Sequence, residues 1–111
     1  MINLDQKKMR VIATAAHGVV NQDTIFLFTQ VDDCVNAKYS GGMIKQGFLV
    51  GMIKENVFEF SYCQLQKDGL IDHGKSKCEL NVGENGKIRL IEHFQWGSRS
   101  GESGVNMFEE L

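Results

Sequence analysis

The sequence predicts an all-β protein: a single up-and-down antiparallel β-barrel of about eight strands, spanning residues 1–111 as one domain. Three observations predict it. Apolar residues recur with period two almost everywhere along the chain. The alternating runs are short, and each is bounded by Gly, Asn, Asp or Ser clusters. No stretch carries a sustained apolar face at i, i+3, i+4, i+7. Closing such strands on themselves removes exposed edges, so a barrel is preferred to a β-sandwich, the runner-up. A chain of 111 residues buries enough surface to need neither disulfide nor metal.

Taken in order, the strands fall at residues 9–15, 24–30, 34–40, 43–53, 57–66, 70–82, 87–96 and 105–109. The only helix candidate is the polar stretch 4–8, and one turn is too short to be stable alone. The turns set the register. Lys67-Asp68-Gly69 reads as a three-residue loop with glycine in the left-handed position, which pairs Gln66 with Leu70. Tyr62 then faces Gly74, Phe60 faces Ser76 and Phe58 faces Cys78. On the other face Glu59 meets Lys77 and Cys63 meets His73. A two-residue loop would mix the faces, because a one-residue slip flips every side chain.

Glu84-Asn85-Gly86 repeats this chemistry and pairs Gly83 with Lys87. The seventh strand therefore points Ile88, Leu90, Glu92, Phe94 and Trp96 inward, beside Val82, Leu80, Cys78, Ser76 and Gly74. Small residues of the sixth strand lie between aromatics on both sides, which suits a narrow interior. Gly41-Gly42 as a two-residue turn pairs Ser40 with Met43. With Val35, Ala37 and Tyr39 inside, Ile44, Gln46, Phe48, Val50 and Met52 point inward on the next strand. Leu49 and Ile53 then face out, together with either Phe26 and Phe28 or Ile25 and Leu27. Such an outer apolar belt means either a self-association surface or a β3–β4 register different from this one, two readings of equal weight.

The strand directions separate two ends. One is an apolar plug of Phe48, Val50, Met52, Phe58, Cys78, Leu80, Val82, Ile88 and Leu90. The other receives Tyr39, Gln46, Tyr62, Gln64, Asp72 and Trp96, beneath loops carrying His17, Ser40, Ser98, Arg99 and Ser100. Barrel mouths lined by aromatics and a few polar groups are common small-ligand sites. The candidate ligand-binding residues are Tyr39, Gln46, Tyr62, Gln64, Glu92, Trp96 and Arg99. The bland alternative is a solid core capped by polar groups at its wet end. Glu92 is sent inward beside Cys78, where a carboxyl must be paired, hydrogen-bonded or protonated. It either meets a ligand donor or cation, acts as a general acid, or is a structural acid bonded to backbone or to Arg10. Asp72, near the rim, is expected to be solvated.

Catalytic and cofactor motifs are missing. Gly97-Ser98-Arg99-Ser100-Gly101 has its serines in the wrong places for a nucleophile elbow. There is no phosphate-binding GK[ST] loop and no G-x-G-x-x-G. Cys63 beside His73 offers two metal ligands where a structural zinc site takes four. Cys63 and Cys78 fall on opposite faces and cannot bridge. The three cysteines without a C-x-x-C pair read as free thiols in a reducing cytoplasm. A net charge of −2 without a Lys/Arg cluster beyond Lys7, Lys8 and Arg10 argues against nucleic acid as partner. No apolar run is long enough for a spanning helix, and the first ten residues lack the apolar centre of a signal peptide.

Several strings carry a family resemblance. They are Tyr39-Ser40-Gly41-Gly42 followed by Ile44, Gly47, Leu49 and Gly51; Tyr62; Asp68-Gly69; Gly74; Gly86-Lys87-Ile88-Arg89-Leu90; Glu92; Gln95-Trp96; and Gly104 through Glu109-Glu110. Together they resemble a family of small bacterial proteins labelled N-acetylglutamate synthase-like, over nearly the whole chain. The resemblance implies a compact barrel of the calycin or avidin kind and brings no catalytic residues with it. Its label implies acyl transfer. Acetyltransferases hold a pyrophosphate on a Gln/Arg-x-x-Gly-x-Gly/Ala loop at a helix start, a spacing that Gln46-Gly47-Phe48-Leu49-Val50-Gly51 lacks. Three functions are therefore expected, in this order: a non-enzymatic barrel binding a small molecule, a protein-interaction or homodimerisation module, and an acyltransferase.

Overall fold

The computed structural model describes residues 2–16 and 18–111, which form eight antiparallel strands. In chain order they are β1 (Lys8–Ala13), β2 (Ile25–Val31), β3 (Cys34–Gly41), β4 (Ile44–Lys54), β5 (Val57–Gln66), β6 (Ile71–Val82), β7 (Ile88–Trp96) and β8 (Ser103–Glu110). Each pairs with the next, and β8 returns to β1, closing the barrel. His17, expected in a loop above the mouth, lies outside the described residues.

Local turn chemistry explains the β5–β6–β7 half. Gln66 N donates to Leu70 O at 2.9 Å, and Gly69 sits at φ 89°. Gly83 N donates to Lys87 O at 2.9 Å, with Gly86 at φ 78°. Asp68 and Asn85 each accept a backbone N–H two residues on, at 3.0 and 3.1 Å. The predicted pairings Tyr62–Gly74, Phe60–Ser76 and Phe58–Cys78 all form, as do Gly74–Trp96 and Cys78–Glu92.

The β3–β4 half differs from expectation. The turn residues are Gly42 and Met43, with Gly41 paired to Ile44. A bulge then inserts an extra residue into β4, so that Tyr39 pairs with Gly47. Lys45 and Gln46 both point out, and the parity of the rest of the strand inverts. Leu49 and Ile53 are therefore buried, whereas Gln46, Phe48, Val50 and Met52 are exposed. On β2, Phe26 and Phe28 face in and Ile25 and Leu27 face out.

One end is sealed by apolar side chains: Phe28, Val35, Ile53, Phe58, Leu80, Ile88 and Leu90. Of the expected plug, Phe58, Leu80, Ile88 and Leu90 are there and Cys78 is buried; Phe48, Val50 and Met52 are outside the barrel, and Val82 is exposed as the strand runs out. The stretch 4–8 is no helix. It turns at Gln6, which has φ 61°, and folds beneath the barrel. Gln6 N donates to Phe28 O and Leu4 N to Gln30 Oε1, so Leu4 is fully buried at the closed end. Burying such a side chain contributes roughly 1.5–3 kcal/mol.

Candidate functional site

The other end is open, and its buried side chains are polar. Gln64, Gln66 and Asp72 lie near the rim, with Glu92, Ser76 and Asn106 deeper. A cavity sits between these groups and the aromatic walls Phe26, Tyr39, Phe60, Tyr62, Phe94 and Trp96. Gly18, Val19 and Val20, from the connection between β1 and β2, close over it. Its non-atom space is about 340 Å³ counted out to the mouth; only about 30 Å³ admits the centre of a water molecule. The second figure describes the interior, and it leaves room for one or two waters unless the mouth residues shift.

Two tyrosines shape the cavity by crossing glycines. Tyr39 lies over Gly47, where a β-carbon would collide with its ring. Tyr62 lies over Gly74, where a β-carbon would collide with its hydroxyl. Aromatic rings covering strand glycines fill the space a side chain would occupy. Tyr62 also meets Trp96 edge to face, with ring centres 5.6 Å apart, and Tyr39 stacks on Phe26 at 4.4 Å.

The polar atoms divide into satisfied and unsatisfied sets. Tyr39 Oη donates to Gln64 Oε1 at 2.9 Å. The amide Nε2 of Gln64 and the hydroxyl of Tyr62 are buried and have no hydrogen-bond partner among the described residues. Burial, with the nearby Glu92 charge second, pushes both tyrosine hydroxyls well above the usual phenol range. They therefore stay protonated.

Glu92 is enclosed. Ser76 Oγ donates to its Oε2 at 2.6 Å and Asn106 Nδ2 to its Oε1 at 2.9 Å. Burial raises its carboxyl above the ordinary range, although both hydrogen bonds pull the other way. These partners are neutral side chains, not the backbone group or Arg10 considered from sequence. Asn106 also accepts Ala15 N at 3.1 Å, which ties the start of the covering connection to Glu92.

Asp72 is a hub rather than a solvated rim residue. Its Oδ2 accepts Arg99 Nη2 at 2.6 Å, Arg99 Nε at 3.1 Å and Gln66 Nε2 at 2.6 Å, and Oδ1 accepts Ser98 Oγ at 2.8 Å. Burial alone would raise its pKa, but the hydrogen bonds from Arg99, Ser98 and Gln66 outweigh it and hold the carboxyl below the usual range. The same pairing raises Arg99. The guanidinium lies 4.6 Å from the centre of the Trp96 ring, a cation–π contact. The segment after β7 is thus fastened to β6 beside the mouth.

A family model described as "Avidin-like protein" matches residues 2–111. The chain belongs to the avidin-like family. No curated protein and no solved structure matches it. Of the predicted site residues, the avidin-like barrel brings Tyr39, Tyr62, Gln64, Glu92 and Trp96 to one cavity. Arg99 stands beside it on Trp96, and Gln46 is excluded by the β4 bulge. The string Gln46–Gly51 lies within β4, not at a helix start. Sequence reasoning missed Phe26, Asn106 and the Asp72 hub. Asn106 shares parity with Phe108 in β8, which was its only signal. The irregular segment 97–102 gave no turn from which to count.

Proposed function

We propose that this avidin-like barrel binds a small molecule in its mouth cavity without transforming it. The observation that carries the reading is a pair of buried polar atoms on the cavity wall, Tyr62 Oη and Gln64 Nε2, that find no partner among the described residues. An unsatisfied buried polar group costs roughly 1–3 kcal/mol, and a ligand that satisfies it recovers that cost. Gln64 Nε2 can only donate, so the ligand supplies an acceptor such as a carbonyl oxygen. The aromatic walls favour a flat and largely apolar body. Glu92, its carboxyl raised by burial and its oxygens already bonded to Ser76 and Asn106, shapes the floor rather than contacting the ligand directly.

The single tryptophan, Trp96, reports occupancy. Titration of its fluorescence with a panel of planar heterocyclic amides and lactams is expected to give a saturable change. Gln64→Leu is expected to weaken that change about tenfold or more, as expected when a donor to a bound acceptor is lost. A panel that leaves the emission untouched, together with a crystal structure in which Val19 and Val20 fill the cavity, would reject the reading.

A further inference from the structure

We propose that Asn106 is a positioning residue that couples Glu92 to the chain covering the mouth, so that ionisation of Glu92 opens the cavity and its protonation closes it. The inference deepens the ligand-binding reading and rests on it only in treating this cavity as the binding site. Gly18, Val19 and Val20 cover the cavity, and the two ends of this cover are held differently. At the far end Thr24 is fully buried. Its hydroxyl donates to Gly41 O at 3.0 Å and accepts Asn21 N at 3.2 Å, and Thr24 N donates to Asn21 O at 2.9 Å. At the near end Ala15 N donates to Asn106 Oδ1 at 3.1 Å. Among the described residues, that is the one hydrogen bond joining residues 14–20 to a strand. The far end is a hinge and the near end a latch.

Asn106 carries the latch to the floor. Its Oδ1 faces the cover, its Nδ2 donates to Glu92 Oε1 at 2.9 Å, and Ser76 Oγ meets Oε2 at 2.6 Å. A protonated Glu92 is satisfied there: its O–H can donate to Ser76 across the same distance while Oε1 accepts from Asn106. An ionised carboxylate has about four acceptor sites. Ser76 and Asn106 fill one each. The interior has room for about one or two waters, so charging Glu92 draws water in past the cover. Burial raises the carboxyl in the closed barrel and solvent lowers it again, so ionisation favours the open form. The other titratable groups facing Glu92 are Cys78 of β6, Tyr39 of β3 and Tyr62 of β5. Burial pushes each of them up, and they stay protonated. From β2, β4 and β8 the cavity receives Phe26, Leu49 and Asn106, and β1 turns Met9 and Val11 inward; none of these titrates. His93, next to Glu92 in β7, points outward.

Amide hydrogen exchange followed by NMR, from the ordinary carboxylate range to about pH 8, tests this. It uses no ligand, so a failure of the ligand-binding reading leaves the result readable. Opening frees Ala15 N. Corrected for its intrinsic exchange rate, the protection of that amide should fall by up to about tenfold per pH unit as pH climbs from the ordinary value of 4.5 toward the folded one. Amides of β5 and β6 should keep theirs. Acrylamide quenching of Trp96, on the cavity wall, should rise over the same window. Glu92→Gln should keep Ala15 protected and Trp96 shielded throughout. Asn106→Ala should leave Ala15 unprotected at every pH. Far-UV circular dichroism checks that both variants fold, and Glu92→Gln decides the matter by itself if Asn106→Ala does not. Ala15 protection in the wild type that is indifferent to pH would overturn the proposal. So would a pH dependence that survives in Glu92→Gln, which would assign the opening to a histidine, or Ala15 protection that survives Asn106→Ala.

Discussion

The closed end and the mouth of this barrel are built from the same strands, yet they solve opposite problems. At the closed end, Phe58, Leu90 and Leu4 belong to the apolar core and are buried completely or nearly so. At the mouth, buried side chains carry hydroxyls, amides and carboxyls, and a cavity remains between them. Apolar packing stabilises wherever it is dense. Buried polar groups stabilise only where every partner is present. The mouth meets that condition at Asp72 and at Glu92, and leaves Tyr62 and Gln64 short of it. The closed end thus secures the fold, while the mouth carries the unmet hydrogen-bonding capacity that a ligand would use.

Four substitutions probe this contrast. Phe58→Ala should cost about 3–5 kcal/mol in urea unfolding, the usual loss for a fully buried phenylalanine. A loss below about 1 kcal/mol would mean that the closed end is not the anchor. At the mouth, Asp72→Ala strands Gln66 and frees Arg99, and should cost about 1–3 kcal/mol. Because the folded Asp72 pKa is depressed, its contribution is present above the ordinary carboxylate value and is lost as pH falls through the lowered one. The wild-type protein should therefore lose more stability in acid than Asp72→Ala does; parallel acid curves would remove Asp72 from the account.

Glu92 runs the other way. Its folded pKa is raised, so its neutral form is favoured and stability falls as pH climbs from the ordinary value of 4.5 toward the folded one. Gln in its place can accept from Asn106 and donate to Ser76. Glu92→Gln should match the wild type in acid and gain on it by up to about 1.4 kcal/mol per pH unit through that window. Thermal denaturation at several pH values reads the difference, and a pH-independent offset would contradict it. The smallest effect sharpens the comparison most. Tyr62→Phe removes an unpartnered buried hydroxyl and should raise stability by up to about 1 kcal/mol, while weakening any ligand that uses the hydroxyl. A loss of stability would show that the hydroxyl is satisfied in solution.

Much of the barrel was legible from residues 57–96. Asp68-Gly69 and Asn85-Gly86 name their turns, and each turn fixes a strand pair, so Tyr62, Gln64, Glu92 and Trp96 could be placed inside by counting. The face of β4 was not legible. Its residues are apolar on both parities: Phe48, Val50 and Met52 on one, Leu49 and Ile53 on the other. The bulge at Lys45–Gln46 that chooses between them has no local signature in the sequence. Gln46 was lost from the site by that single inserted residue, and the outer apolar face gained Phe48, Val50 and Met52 in the same step.

The sequence by itself determined the fold class, the strand count and the inner face of β5, β6 and β7. Period-two alternation and left-handed glycines act within a few residues and need no distant partner. The tertiary structure alone decided the rest. It selected the face of β4 through the bulge, brought Arg99, Ser98 and Gln66 onto Asp72, and set Asn106 against Glu92 across the β7–β8 pair. These depend on closure, which joins residues far apart in the chain and compels a buried carboxyl to take whatever donors the neighbouring strand presents.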